Sequence, residues 1–247
     1  MSYENSVKIG PEFFAKAKND YASFPWAITR EFLQNSMDCG SDRVDVKIET
    51  LNGFTRLSVQ NNGSPMSRDI LTGKLLSLGG TGKGFNGSVG GFGKAKEVLY
   101  FCHQEYHIHT GDLRVEGSGA GYNISEAEHL DGTVSTILMD GNYTEKLEAA
   151  FNNFALFAQW DGVIFINGKK YNCDLRKGSP RREFSWGTVY TNKTFSGRVV
   201  VRVGGIPMFS RLTQLDRCVV IELKGASSDT LLSSRDGLRY HLQDEFD

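Results

Sequence analysis

Residues 79 to 93 carry eight glycines in fifteen positions. Glycine loses more backbone entropy on ordering than any other residue, so this stretch cannot form regular core structure. It is either a flexible surface loop or a loop that closes over a ligand. The residues after it, Lys94 to Phe101, have the pattern of a helix. Glycines directly before a helix let backbone N–H groups approach a phosphate, and the helix N-terminus adds a favourable dipole.

A second constraint comes from the helix predicted over Trp26 to Cys39. Glu31, Asn35 and Asp38 stand at positions i, i+4 and i+7, which share one narrow stripe of a helix. Apolar residues flank this stripe on both sides, whereas a solvated face is usually wide and charged. The pattern favours a buried helix that presents an acid and an amide to a ligand. An amphipathic helix with its polar side in water is the alternative.

The rest of the chain alternates between strands and helices. Segments 43–49 and 55–60 predict one hairpin, and the turn Val59 to Met66 follows its second strand. Further strands are predicted at 105–109, 133–138, 163–166, 169–172, 188–191, 199–203 and 218–223, and further helices at 13–21 and 145–159. The later part looks smaller and richer in strands, so we expect one domain over 1–143 and a second unit over 144–247.

Composition narrows the class of protein. With 39% hydrophobic and 23% charged residues, the chain is typical of a soluble globular protein. Its formal net charge of -1 provides no general attraction to nucleic acid or to an anionic membrane. The four cysteines form no C-x-x-C pair, which favours reduced thiols. The N-terminus lacks a signal-peptide pattern and no long apolar run is present, so we expect a cytoplasmic protein without a membrane segment.

Four motifs in one order resemble those of the ATPase superfamily that includes gyrase, heat-shock chaperones, histidine kinases and MutL (GHKL). The segment Glu31 to Asp38 is similar to the N-box, and Asn61 to Met66 to the D-x-G-x-G motif. Residues 79–93 resemble the ATP lid with its G-x-x-G element, which fits two registers here, starting at Gly87 or, preferably, at Gly90. Asp131 to Val134 resembles the late glycine–threonine pair. The resemblance implies the Bergerat fold: an α/β two-layer sandwich with a mixed, mostly antiparallel sheet, helices on one face, and a smaller α/β unit after it.

The resemblance also implies roles for individual residues. Glu31 would be the general base that activates water, and Asn35 would offer its carbonyl oxygen to Mg²⁺. Asp38 would support the same water and metal network, and Thr133 would bind near the adenine. Thr81, Lys83 and Lys94 are candidates for the terminal phosphate. The full set of predicted nucleotide contacts is Asn35, Asp38, Asn61, Gly63, Met66, Thr81, Lys83, Gly90, Gly91, Phe92, Gly93, Lys94 and Thr133.

Two positions depart from the family pattern. Asn61 stands where the family has an aspartate that accepts from the adenine amino group, and its amide can either accept or donate. The choice between adenine and guanine is therefore open. Pro65 replaces the second glycine of the motif, which fixes the backbone and removes a donor.

The implied function is Mg²⁺-dependent ATP binding and slow hydrolysis that drives lid closure and rearrangement of a domain or of an ATP-dependent homodimer. A non-hydrolysing, nucleotide-gated binding module is the first alternative, and a phosphotransferase of the histidine-kinase branch is the second. Arg235 or Lys224 is a candidate to reach the terminal phosphate from the second unit, as basic residues do in several members; a surface role is the alternative. The last residues have the pattern of a helix under way, so we expect a piece of a longer protein whose client or nucleic-acid partner the sequence does not name.

Overall fold

The computed structural model describes residues 11–77, 96–175, 181–193, 195–224, 231–232 and 237–239. Its helices are α1 (Pro11–Ala15), α2 (Phe24–Asp38), α3 (Arg68–Ile70) and α4 (Thr144–Phe157). Ala17–Asp20 forms a 3-10 turn, and Leu71–Leu75 and Glu97–Phe101 form π-helical turns. The strands are β1 (Arg43–Leu51), β2 (Phe54–Asn61), β3 (Glu105–Ser118), β4 (Gly121–Asp140), β5 (Gln159–Ile166), β6 (Lys169–Asp174), β7 (Arg181–Phe184), β8 (Gly187–Asn192), β9 (Arg198–Val203), β10 (Ile206–Leu212) and β11 (Cys218–Leu223).

The first sheet has six strands in the order β3-β4-β2-β1-β5-β6. All neighbours are antiparallel except β1 and β5. Val44, Val46 and Ile48 of β1 are buried, whereas the residues between them are exposed or half-buried. This alternation means that one face of the sheet is covered, and α2 and α4 pack together on that side.

The second sheet has five strands in the order β10-β9-β11-β8-β7, with β9 and β11 parallel. One face joins the main core through Val201, Val203 and Ile221. Its other face contributes Val200 and Val220 to a smaller cluster that includes Phe157. The sheet also contacts α2 directly, because Trp26 Nε1 donates to the carbonyl oxygen of Met208 at 2.6 Å. The mixed α/β architecture expected from the sequence is confirmed.

The point in the sequence where the first sheet ends and the second begins does not coincide with the predicted domain boundary between residues 143 and 144. Helix α4 and strands β5 and β6 follow that boundary, yet β5 and β6 complete the first sheet. The pairing of β5 with β1 joins segments far apart in sequence, which local patterns do not show. Strands change from the first sheet to the second between Asp174 and Arg181. The two-domain division itself stays a prediction.

Two predicted elements have different extents. The helix predicted over 13–21 is two short turns, and the strands predicted at 105–109 and 133–138 are the ends of much longer strands, β3 and β4. Strand β2 pairs with β4 only over 133–140, so residues 111–130 form a two-stranded ribbon beyond it. Most residues of β4 within this ribbon are exposed or half-buried. This part of the chain lacks the regular alternation of buried apolar and exposed polar residues from which strands are predicted. Within the described residues, no helix has the length and apolarity that crossing a membrane requires.

Candidate functional site

Helix α2 carries the predicted acid and amide on one continuous stripe. Ser23 precedes the helix as its N-cap and accepts from the backbone N of Trp26 at 3.4 Å. Glu31 is only 4% exposed, Asn35 is half-buried and Asp38 is exposed. The stripe therefore runs from the core to the surface along the helix, which excludes the alternative of a fully solvated face. The catalytic and metal-binding roles of these residues stay predictions.

Arg30 is a neighbour of Glu31 that the sequence pattern did not single out. Its Nη2 lies 3.3 Å from Glu31 Oε1, and the arginine side chain is 1% exposed. Its Nη1 also donates to the carbonyl oxygen of Met208 in β10, at 3.4 Å. A buried guanidinium thus links the predicted general base to the second sheet. Arginine on a helix is usually solvated, so no local signal marked it.

The turn after β2 is held against the C-terminal end of α2. Asn61 Oδ1 accepts from the backbone N of Gly63 at 3.1 Å and from Cys39 Sγ at 3.5 Å. The backbone N of Ser64 donates to the carbonyl oxygen of Cys39 at 2.9 Å. A Cβ at position 63 would lie 2.2 Å from Cys39 Sγ, so only glycine allows this approach. The structure therefore brings together two of the predicted motifs, the helix stripe and the turn.

A row of three polar side chains crosses the first sheet beside this turn. Asn61 in β2 is opposite Thr133 in β4, and Thr133 is opposite Thr110 in β3. Residues directly opposite each other point to the same face of a sheet. Thr110 Oγ1 lies 2.8 Å from Thr133 Oγ1, donates to the carbonyl oxygen of Gly132 at 3.2 Å, and accepts from the backbone N of Met66 at 2.8 Å.

Thr110 is the residue of this row that sequence analysis missed. It lies one residue past the predicted strand 105–109, and it is fully buried. Only the register between β3 and β4 shows that it faces Thr133. Met66, by contrast, reaches this row through its backbone N–H, so its side-chain type is not what the contact requires.

The backbone conformation at position 132 explains why the glycine–threonine pair begins with a glycine. Its φ is +97°, a conformation that other residues rarely adopt, and a Cβ there would lie 2.0 Å from the carbonyl oxygen of Asn61. Glycine is therefore required for β4 to approach the end of β2. This approach places Thr133 beside Asn61.

The predicted phosphate-binding residues lie outside the described part of the chain. They are Thr81, Lys83, Gly90, Gly91, Phe92, Gly93 and Lys94, together with Arg235 from the later region. The residues next to this gap are described. Lys96 Nζ, almost fully buried, donates to the carbonyl oxygens of Lys74 at 2.7 Å and Ser77 at 2.5 Å. Burial lowers the pKa of this lysine. Lys96 thus joins the chain before residue 78 to the chain after residue 95.

A cleft of about 520 Å³ lies where the end of α2 meets the second sheet. Its lining includes Met37 of α2, Trp160 of β5, Gly205 of the β9–β10 turn and Leu223 of β11. Lys224 follows Leu223 and is exposed, and its backbone N donates to the carbonyl oxygen of Trp186 at 2.9 Å. The structure therefore places Lys224 one residue from a cleft that α2 also lines.

The donor groups on α2 fit Mg²⁺ held jointly with a nucleotide. The described residues contain no group of three or more His, Cys, Asp or Glu side chains that could hold a metal ion. Mg²⁺ bound with phosphates needs only one or two protein oxygen ligands, and it keeps several waters. The half-buried amide of Asn35, one turn from both Glu31 and Asp38, can supply such an oxygen.

Comparisons with known proteins agree with this architecture. No protein-family model matches the sequence, and no curated protein sequence matches it. Solved structures do match, and they show that the chain shares the fold of a topoisomerase II ATPase region. The chain is similar to the ATPase region of Saccharomyces cerevisiae topoisomerase II bound to ICRF-187 (dexrazoxane), with a TM-score of 0.60, 12% identity, and coverage of 94% of this chain and 89% of that one. A second structure of the same yeast ATPase region matches with a TM-score of 0.56, 12% identity, and coverage of 85% and 76%.

Proposed function

We propose that this chain binds a purine nucleoside triphosphate, ATP in the family it resembles, together with Mg²⁺ and hydrolyses it slowly. One observation carries the proposal. Within a GHKL fold, the stripe of Glu31, Asn35 and Asp38 ends beside the Asn61–Gly63 turn, and hydrogen bonds through Cys39 join the two. The proposed base contact, Asn61, and the proposed metal ligand, Asn35, are therefore on adjoining elements, which supports a shared ligand.

Glu31 is the proposed general base. A carboxylate can accept the proton of an attacking water when it lies within hydrogen-bond reach, and burial keeps competing bulk water away. Asn35 would hold Mg²⁺ through its side-chain oxygen. The metal supplies positive charge that offsets the charge of the phosphates. The exposed carboxylate of Asp38 would order water around that metal.

The glycine-rich segment is proposed to hold the phosphates and to close over them. This step is supported by sequence alone, through the glycines at 79–93 and the helical pattern after them. Contacts of α2 with the second sheet, Trp26 and Arg30 to the carbonyl oxygen of Met208, support a rearrangement of that sheet when a nucleotide binds. An ATP-dependent homodimer, with a client or nucleic-acid partner, stays a prediction from the resemblance.

One contact favours the alternative of a binding module without hydrolysis. Arg30 Nη2 lies 3.3 Å from Glu31 Oε1, and a guanidinium at this distance competes with water for the carboxylate. If this pair persists with nucleotide bound, the Glu31 carboxylate neutralises the buried Arg30 guanidinium and does not activate water. Single-turnover measurement of phosphate release distinguishes the two functions, because a binding module releases none.

Calorimetric titration of the purified chain with ATP and GTP, with and without Mg²⁺, tests the proposal. We expect magnesium-dependent binding of at least one nucleotide, weakened about tenfold or more in Asn35→Ala, because a metal ligand is lost. The control is Asn172→Ala, an exposed asparagine of β6, which should bind as the unmodified chain does. Absence of binding to both nucleotides would overturn the proposal.

A further inference from the structure

The cleft between α2 and the second sheet lies on the opposite side of the helix from the predicted metal ligand. Met37 lines this cleft, and it follows Asn35 by two residues, which places the two side chains about 200° apart around the helix. The cleft has a volume of about 520 Å³, which is within the range of small-molecule sites. It is therefore separate from the proposed nucleotide site, and the proposed function does not use it.

An irregularity in β5 builds one wall of the cleft. Strand β5 pairs with β6 at Trp160 and again at Val163, and the two partners in β6 are consecutive residues. The residues between, Asp161 and Gly162, therefore bulge out of the strand. Bulges of this kind re-aim side chains and are frequent beside functional sites. A Cβ at position 162 would collide with three atoms of the six-membered ring of Trp160, so only glycine lets the indole lie against the bulge.

The cleft combines this indole with negative charge. Asp161 and Glu222 line it, and among the described residues that form its lining none is basic. Glu222 already accepts from Arg202 Nε at 2.8 Å and from the backbone N of Gly205 at 2.7 Å. Its charge is thus offset by a buried guanidinium. Asp161 is exposed, and its carboxylate gives the lining a net negative charge.

We infer that this cleft binds an organic cation, a guanidinium or an ammonium group on an alkyl stem. The cation lies against Trp160, because the face of an indole attracts positive charge more strongly than other aromatic side chains do. It pairs with the carboxylate of Asp161 through charge-assisted hydrogen bonds. Met37 and Leu223 provide apolar surface for the alkyl stem. A free amine and a basic side chain of another protein both present this chemistry.

NMR titration of the chain without nucleotide tests the site with two cationic probes. Agmatine represents a free amine, and N-acetyl-arginine amide represents a basic side chain. We expect each probe to shift the indole N–H signal of Trp160 in a saturable manner, with that signal identified by its loss in Trp160→Phe. N-acetyl-citrulline amide has nearly the same shape as the arginine probe without its charge. It should bind about tenfold more weakly, because it cannot form the charged hydrogen bonds.

Asp161→Asn should weaken both cationic probes about tenfold and leave the citrulline probe unchanged. The matched control is Asp140→Asn, at an exposed aspartate of β4, which should bind as the unmodified chain does. Tighter binding of agmatine supports a free amine as the ligand, and tighter binding of the arginine probe supports a basic side chain.

Three results would overturn the inference: no shift of the Trp160 signal, equal affinities for the arginine and citrulline probes, or unchanged affinity in Asp161→Asn. None of them bears on nucleotide binding, so the proposed function is tested separately.

Discussion

Arg202 and Glu222 form a buried ion pair that ties the second sheet to the first. Arg202 Nε lies 2.8 Å from Glu222 Oε2, and the arginine side chain is fully buried. The same guanidinium donates to the carbonyl oxygen of Leu175, directly after β6, at 2.8 Å. Glu222 Oε1 accepts from the backbone N of Gly205 at 2.7 Å, and the backbone N of Gln159 donates to the carbonyl oxygen of that glycine. One pair of charges thus holds β9, β11 and the β9–β10 turn against the first-sheet segments.

Arg202→Met should strongly destabilise the chain. It leaves the Glu222 carboxylate without its charged partner and the carbonyl oxygen of Leu175 without this donor, a change that typically costs about 3–5 kcal/mol. Urea unfolding measures the loss. The control is Arg217→Met, which breaks the exposed pair with Asp216. An Arg202 variant as stable as the Arg217 variant would contradict the proposed link.

Gly132→Ala should distort the end of β2. The added Cβ would meet the carbonyl oxygen of Asn61 at 2.0 Å, and φ is +97°, so a cost of about 2 kcal/mol or more is expected. Nucleotide affinity should fall as well, because Asn61 and Thr133 would separate. Gly73→Ala is the control, since a Cβ there meets no atom within 4 Å. Equal melting temperatures for the two variants would argue against the close approach.

Glu31→Gln should lose hydrolysis and keep binding. Glutamine preserves the volume of the side chain but cannot accept the proton of water, so turnover should fall by about a hundredfold or more. A phosphate-release assay at saturating nucleotide measures this, with calorimetry as the check on binding. Glu126→Gln, an exposed change in the ribbon, should retain full turnover. Normal hydrolysis in the Glu31 variant would refute its role as the base.

Stability should decrease between pH 6.5 and pH 4 because of His103. Burial lowers the pKa of this histidine to about 4, while the hydrogen bond of its Nε2 to the carbonyl oxygen of Val98 acts in the opposite direction. Below pH 6.5 the unfolded chain therefore binds a proton that the folded chain does not. The linked loss of stability reaches about 3 kcal/mol by pH 4. Unfolding of His103→Gln across this range should show a smaller pH dependence than the unmodified chain. The control His107→Gln, at a half-buried histidine of β3, should keep the full pH dependence. Equal slopes in all three chains would contradict the assignment.

The sequence anticipated elements whose signals are local. The helix predicted over Trp26 to Cys39 is α2, starting two residues earlier because Ser23 serves as its N-cap. The strands predicted at 163–166 and 169–172 form the β5–β6 hairpin, whose two-residue turn, Asn167 and Gly168, has positive φ at both residues. The stripe on α2, predicted from spacing alone, runs from the buried Glu31 to the exposed Asp38. Each of these features depends on residues within one or two turns of the chain.

Other features depend on partners distant in sequence. Four residues make their hydrogen bonds to segments that only the sheets and their packing bring close: Thr110, Arg30, Arg202 and Lys96. The pairing of β5 with β1 across the predicted boundary could not be predicted for the same reason. Buried charged residues are rare, so a prediction from pattern treats an arginine or a lysine as solvated.

The sequence by itself determined the motifs, their order and the periodicities that form α2 and the hairpins, because backbone propensity and side-chain alternation act over neighbouring residues. Only the tertiary structure decided the strand order, the register that aligns Asn61, Thr133 and Thr110, and the orientation of the Asn61 amide. The reason is that a hydrogen bond has a direction. Asparagine can donate or accept, and the backbone N–H of Gly63, placed by the turn after β2, can only donate, so the carbonyl oxygen of the Asn61 amide faces this turn.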